Sequence, residues 1–334
     1  MDTHTRASVA ASTPDTFDVI TIGRVGVDLY PQQVGVPLSD VHSFSKSLGG
    51  STTNVAVAAA RLGLASATIT KVGDDGFGTY VREALRRFGV EAGFVGTDPE
   101  LRTPLAFCEV HAPDHFPLLF YREPRAPDLN LGFADLPLRQ IVAARLFWTS
   151  GTGLSQEPSR SATLAALDAR RAARRAGGDG VTVHDLDYRS SLWGSRMEAR
   201  ALALEAVQRA TVVVGNEEEV GVAVDGDPYE ATQALIDLGV ELAVCKRGGE
   251  GLVARSADGA LVELPAVPVD VVNGLGAGDA FGGALCFGLL SGWEVERTLR
   301  FASAAGALVA SRMLCADAMP ALDEVEQLLA GRAV

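Results

Sequence analysis

The stretch NGLGAGDAFGGAL, which begins at Asn273, sets Gly276, Gly278, Gly282, Gly283 and the lone carboxylate of Asp279 just ahead of the apolar run CFGLLSGW. Glycine costs a helix about 1 kcal/mol relative to alanine, so a helix opening on this composition is weakened unless something approaches its backbone closely. Small residues at a strand-to-helix turn leave backbone N–H groups pointing outward, and the helix dipole adds positive charge, so the turn can hold an anion. A carboxylate in the first turn is favoured by the same dipole and, alone, reads as a cap. Beside Gly276, Ala277 and Gly278, Asp279 reads instead as a base. The N–H groups would neutralise charge building on a moving phosphoryl group while the aspartate takes the proton of the attacking hydroxyl. The spacing is neither a Walker loop nor a GxGxxG turn after a first strand.

Such a turn needs a rigid frame. FDVITIGRVGVDLY reads as a buried strand entering a glycine turn, residues 54–64 as an Ala-rich helix, SATITKVGDD as a strand and GTYVREALRRFGV as a helix with Val81, Leu85 and Phe88 on its apolar face. RLFWTSG, VTVHDLD, TVVVGN and LAVCKRG read as further strands, with helices at SRSATLAALDARRAARRAG, SRMEARALALEAVQR and DPYEATQALIDLG; LPAVPVDVV, ahead of the glycine turn, also looks β-rich. This alternation predicts an α/β, Rossmann-type three-layer fold with a mostly parallel sheet covered on both faces. Two stretches break it. Residues 27–47 look extended, and TPLAFCEVHAPDHFPLLFYRE reads as two strands joined by APDHFP. Together they predict a small antiparallel sheet, a lid inserted at about 29–47 and 103–123. LVARSADGALVELPAV predicts a hairpin turning at Asp258-Gly259.

The 334 residues suit one large domain, expected over 17–330, after a tail at 1–16 that reads as disordered and lacks the apolar run of a signal peptide. The expected compartment is the cytoplasm. A net charge of −13 argues against a nucleic-acid or anionic-membrane surface. Cys108, Cys245, Cys286 and Cys315 are scattered among apolar neighbours and read as buried free thiols. His111 and His115 are four apart, but Pro113 between them predicts a turn rather than a helical metal pair.

The chain from 273 resembles the C-terminal D-T-x-G-A-G-D signature of the ribokinase-type (PfkB) carbohydrate kinases, and that family's other signatures follow in its order. Gly49-Gly50-Ser51-Thr52-Thr53-Asn54 is similar to its G-G-x-x-x-N element, which implies that Gly49, Gly50 and Asn54 meet sugar hydroxyls; unaided, it reads as a loop and a helix cap. Gly23 to Asp28 resembles the first-strand turn whose aspartate, here Asp28, holds sugar hydroxyls. Asn216-Glu217-Glu218-Glu219 resembles the N-x-x-E motif, which implies that Asn216 and Glu219 organise Mg²⁺, mostly through water. Lys246 to Gly251 resembles the nucleotide-side glycine turn and implies ATP contacts from Lys246, Gly248 and Gly251, together with Asn216. The resemblance spans 17 to about 326 and implies a ribokinase-like fold with ATP and Mg²⁺ as cofactors. Asn273 replaces the aspartate that commonly helps bind a monovalent cation, which leaves potassium activation open.

The substrate needs separate clues. DLDYRSSLW, from Asp185, resembles a D-x-N-x-R-x-x-L-W segment of kinases acting on fructose or keto-deoxy-sugar acids, so Arg189 either clamps a substrate carboxylate or forms a strand-end salt bridge. Arg122 and Arg125 concentrate positive charge in the lid and could close over an acid, or remain solvated. GRVGVDLYPQQ, LGGSTTNVAVAAARLG, FPLLFYREPRAPDLNL, FWTSGTGLSQEPSR and VVNGLGAGDAFGGALCFGLLSGW together resemble a sugar-acid branch of the family. That implies transfer of the ATP γ-phosphate to the 6-hydroxyl of 5-dehydro-2-deoxy-D-gluconate, in myo-inositol breakdown. The alternatives are 2-dehydro-3-deoxygluconate or fructose as acceptor and, more distantly, a non-catalytic sugar or nucleotide sensor. The family also implies a homodimer through the lid.

Overall fold

The computed structural model describes residues 16–331, so the expected tail falls almost wholly outside the described residues. The chain runs β1 (Val19–Ile22), β2 (Gly26–Pro31), β3 (Phe44–Gly49), α1 (Ser51–Arg61), β4 (Ser66–Gly73), α2 (Gly76–Arg87), β5 (Val90–Glu91) and β6 (Val95–Asp98). It continues through β7 (Leu105–Cys108), β8 (Leu118–Tyr121), α3 (Leu138–Ala143), β9 (Leu146–Ser150), α4 (Ser159–Arg175), β10 (Val181–Asp185), α5 (Arg196–Val207) and β11 (Val212–Asn216). The last elements are α6 (Glu217–Ala223), α7 (Pro228–Asp237), β12 (Leu242–Lys246), β13 (Leu252–Ser256), β14 (Leu261–Leu264), α8 (Ala277–Leu290), α9 (Val295–Ala310) and α10 (Leu322–Leu329).

Strands β14-β13-β12-β11-β10-β9-β1-β4-β5 form the main sheet in that order, with β6 also paired to β4. It is parallel from β12 to β5, and β13 and β14 add the expected antiparallel hairpin, turning at Gly259 with φ +91°. Because successive side chains of a strand point to opposite faces, each strand feeds two cores. Val19, Leu146, Trp148, Val212 and Val214 pack with α8 and α9, whereas Ile20, Phe147 and Val213 pack on the other face, against α4 and α7. Runs buried on both sides are therefore continuously apolar, which is why they were readable as strands. No helix among the described residues is long and apolar enough to cross a membrane, and all four cysteines are buried and free.

The second sheet, β3-β2-β7-β8, contains the two stretches that broke the alternation. It is mixed rather than antiparallel. β2 and β7 pair in parallel, because each leaves the main fold in the same direction, one after β1 and the other after β6. A further correction concerns LPAVPVDVV. Only Leu264 belongs to a strand; Pro265 and Pro268 lack the N–H a ladder needs, and Ala266, Val267, Pro268, Val269 and Val271 line a cleft instead.

Candidate active site

The order of the main sheet reverses at β1, whose neighbours are β4 and β9, and ligands of such sheets bind at the carboxyl ends of strands near this point. A cleft of about 730 Å³ lies there. Arg24 enters it just past β1, Asp185 and Asp187 from the end of β10, Asn216 from the end of β11 and Lys246 from the end of β12. The glycine turn before α8 closes one wall, and Leu118 and Phe120 of β8 reach in from the small sheet.

Two different demands explain the four glycines. Gly276 is left-handed at φ +83°, and a Cβ there would lie 2.4 Å from Cys315 Sγ. Gly282 and Gly283 face inward: a Cβ on them would come within 2.8 Å of the Trp148 ring and 2.3 Å of Ala58 Cβ, so they let α8 pack closely on β9 and α1. Gly276 and Gly278 line the cleft, and no side chain caps the start of α8, so its first N–H groups are available. Asp279 is gripped by the first turn of α1: Ser51 Oγ donates to one carboxylate oxygen at 2.7 Å and Asn54 Nδ2 to the other at 2.8 Å. Burial raises the pKa of Asp279, and these two donors oppose the shift. Lys246 Nζ lies 3.4 Å from the position of a Cβ on Gly278, which puts an ammonium beside the turn.

Asp28 also lines the cleft, its carboxyl pushed up to about 7 by burial against the pull of Arg24. Gly49 does not line the cleft. A Cβ on it would sit 2.1 Å from Asp28 Oδ1, so this glycine makes room for the aspartate, while Gly50, at φ +103°, does line the wall and rests on the carbonyl of Arg24. Asn54 Oδ1 is buried without a partner and is therefore an acceptor left over for a ligand.

Asn216 and Glu219 form a capping box on α6: Asn216 Oδ1 accepts from Glu219 N at 2.9 Å and Glu219 Oε2 accepts from Asn216 N at 2.8 Å. One oxygen of the Glu219 carboxylate is thus engaged, and among the described residues no group of three or more His, Cys, Asp or Glu could cage a metal. The cleft nevertheless fits Mg²⁺ held largely through water. Its lining carries the carboxylates of Asp28, Asp185, Asp187, Glu219 and Asp279 against only Arg24, Arg189 and Lys246, and Asp185 Oδ1 is buried without a partner. Burial raises Asp185 and Glu219. For Lys246 burial pulls down, but Asp185, Glu219 and Asp279 win and hold its pKa above the usual value.

Some expected residues are placed differently. Arg122 is withdrawn from the cleft into a buried pair with Asp128 at 2.5 Å, and Asp128 also accepts from Val25 N at 3.0 Å. Arg125 is half-buried and does not line the cleft. Arg189 does, and its guanidinium pairs with Asp187 at 3.0 Å and Glu219 at 3.7 Å, which is the salt-bridge reading of this residue. Gly248 and Gly251 line the cleft. The absence of a side chain at Gly251 is dictated by β14, since a Cβ would lie 1.9 Å from Leu264 O. Asn273 braces the turn, donating to Met313 O at 2.7 Å and accepting from Leu275 N at 3.1 Å. His111 and His115 face each other across an isolated bridge with Pro113 between them.

Four residues escaped the sequence reading of the site: Arg24, Ser51, Asp185 and Asp187. Each lay inside a quoted motif, so the motif was visible and the contributing side chain was not. Asp187 carried a signal only in three dimensions: it is buried with φ +31°, a left-handed backbone rarely adopted without glycine, and accepts from Thr152 Oγ1 at 2.9 Å.

Residues 16–322 match the model of the pfkB family of carbohydrate kinases. The chain is 33% identical over 319 residues to a 5-dehydro-2-deoxygluconokinase of Geobacillus thermodenitrificans, covering 94% of this chain and 93% of that one. It is 34% identical over 318 residues to a 5-dehydro-2-deoxygluconokinase of Listeria monocytogenes, covering 94% and 96%. Fructokinase of Xylella fastidiosa, solved with bound ATP, superposes with a TM-score of 0.81 at 25% identity over 95% of this chain and 98% of that one. With a ribokinase-type sheet carrying a cleft at its switch point and a family match over nearly the whole chain, this protein belongs to the pfkB family and is an ATP-dependent carbohydrate kinase.

Proposed function

We propose that this kinase phosphorylates the 6-hydroxyl of 5-dehydro-2-deoxy-D-gluconate, with Asp279 as the general base. The observation that carries the mechanism is the grip of Ser51 and Asn54 on the Asp279 carboxylate at the uncapped start of α8. The names of the relatives support the substrate. Asp28 and the free Oδ1 of Asn54 would hold sugar hydroxyls, and Gly50 would let the sugar approach the backbone. Asp279 accepts the proton as the hydroxyl oxygen bonds to the γ-phosphorus and the bond to the bridging β,γ-oxygen breaks, releasing ADP. The N–H groups of Gly276, Ala277 and Gly278, with Lys246, stabilise the charge on the transferred group. Bound Mg²⁺, held by Asn216, Glu219 and Asp185 largely through water, would neutralise the polyphosphate. Gly248 and Gly251 would form the nucleotide wall. The small sheet would act as a lid that excludes water, through Leu118 and Phe120.

The test is ADP release with ATP, Mg²⁺ and 5-dehydro-2-deoxygluconate, 2-dehydro-3-deoxygluconate, fructose or ribose. Preference for the first is expected. Preference for another sugar would move the substrate and keep the mechanism, and no turnover with any would overturn both.

The outer face of the small sheet supports a homodimer. Leu119 and Tyr121 are 50% and 60% exposed there, and Tyr121 packs on Phe107, itself packed on Phe44. Sedimentation should give a dimer that Tyr121→Glu weakens; a monomer at micromolar concentration would overturn this.

A further inference from the structure

The acceptor side of the cleft holds one cation whose charge the protein leaves under-used. Arg24 is only 11% exposed, and its Nε is buried with no hydrogen-bond partner. Among the described residues the carboxylate nearest its guanidinium is Asp187, at 3.7 Å, and the Asp187 oxygens already have closer partners in Arg189 and Thr152. The other arginines considered for this side are committed or distant: Arg189 to Asp187 and Glu219, Arg122 to Asp128, and Arg125 outside the lining.

Arg24 is also held in place without using its donors. Its carbonyl accepts from Thr52 Oγ1 at 3.3 Å and Thr53 Oγ1 at 3.0 Å, and its guanidinium lies 5.5 Å from the centre of the Phe120 ring. Stacking on an aromatic face leaves the edge of the guanidinium, with its N–H groups, free for a planar anion. The first turn of α1 therefore fixes two groups at once, the base through Ser51 and Asn54 and Arg24 through Thr52 and Thr53. Burying a guanidinium with an unpaired N–H is costly, and a carboxylate forming two parallel bonds is the chemistry that offsets the cost.

We infer that Arg24, rather than Arg189 or the arginines after β8, binds the carboxylate of the sugar-acid substrate and so selects an acid over a neutral sugar. This rests on the sugar-acid reading of the site. In a kinase for neutral hexoses, the same guanidinium would have no anion to meet on the acceptor side.

The experiment compares wild type, Arg24→Gln, Arg24→Lys and Arg189→Gln with 5-dehydro-2-deoxygluconate and fructose, reading KM for sugar and for ATP separately. Losing one partner of a buried charged pair should raise the KM for the acid roughly 30-fold or more in Arg24→Gln. The KM for ATP should stay near wild type, and Arg24→Lys should recover part of the loss. A merely structural arginine would shift both KM values together, which would overturn the inference. So would an unchanged acid KM in Arg24→Gln, or a larger rise in Arg189→Gln. If Arg24→Gln does not fold, Arg24→Lys carries the test, and an unchanged acid KM there overturns the inference. Wild-type preference for fructose would instead sink the sugar-acid reading itself, an outcome visible before any variant is made.

Discussion

The two ends of β10 bury polar groups in opposite ways. At its amino end Arg170 of α4 is almost fully covered and, among the described residues, forms no ion pair, yet its donors are used. They reach Ile141 O at 3.2 Å, Val142 O at 3.0 Å, Ala144 O and Val181 O at 2.7 Å, and Thr182 Oγ1 at 3.3 Å. Burial draws this guanidinium down only to about 10, so it stays charged and pins the end of α3 to β10. At the carboxyl end, Asp185 Oδ1, Asn54 Oδ1 and Arg24 Nε are buried with nothing to bond. Buried polar groups are normally satisfied, so a cluster of exceptions on one side of a sheet marks the groups reserved for a ligand. Arg122 and Arg255 also bury an Nε without a hydrogen-bond partner, but neither lines the cleft and Arg122 is paired with Asp128; Arg24 is the one of the three that faces the cleft.

This contrast can be broken most severely at the base. Asp279→Asn should lower kcat by about 10²- to 10⁴-fold, the usual range for a lost general base, with nucleotide affinity and folding retained. Near-normal kcat would remove Asp279 from its role. At the other end of β10, Arg170→Met should cost about 2–4 kcal/mol of stability in denaturant titration, because it strands several buried carbonyls, and leave kcat of the folded protein unchanged. A loss of kcat with no loss of stability would invert the comparison.

The raised pKa of Asp28, about 7, predicts opposite pH trends for activity and stability. As a carboxylate it accepts sugar hydroxyls, so kcat/KM should fall about tenfold per pH unit below about 7. For folding the sign reverses. The folded chain holds the Asp28 proton more tightly than the unfolded chain, so its contribution is fully present at low pH and lost as pH rises through about 7. Asp28→Asn should reduce both trends and leave the part due to Asp185 and Asp279, which burial also raises, and a wild-type kcat/KM flat down to pH 5.5 would dissociate Asp28 from the sugar. The smallest effect is expected from Ser51→Ala, about tenfold in kcat, since Asn54 still holds the other oxygen of the base. An effect as large as that of Asp279→Asn would make Ser51 more than a support.

Much of the frame was legible because burial on both faces writes itself into composition. VITI, LFWTS and VVVGN are mostly apolar runs of strand length, and the helices between them carry apolar stripes. LPAVPVDVV misled for the same reason: Val267, Val269 and Val271 line a cleft, and apolarity alone does not say which surface it meets. Helix α9 was not anticipated, although it packs along α8 and buries a stripe that includes Leu299, Phe301, Ala302, Ala305 and Leu308.

Local chemistry belonged to the sequence by itself: the glycines and Asp279 before α8 and the alternation of strands and helices follow from residue type and spacing, while Asp28 and the Asn216 and Glu219 pair were marked by their resemblance to the family's motifs. Partnership was decided only in the folded chain. That Arg122 is neutralised by Asp128, that Ser51 and Asn54 reach Asp279 across more than two hundred positions, and that Arg24 Nε is left without a hydrogen-bond partner are statements about distances between remote segments. The physical reason is that a charge acts according to what lies within a few ångströms, and packing, rather than order along the chain, sets those neighbours.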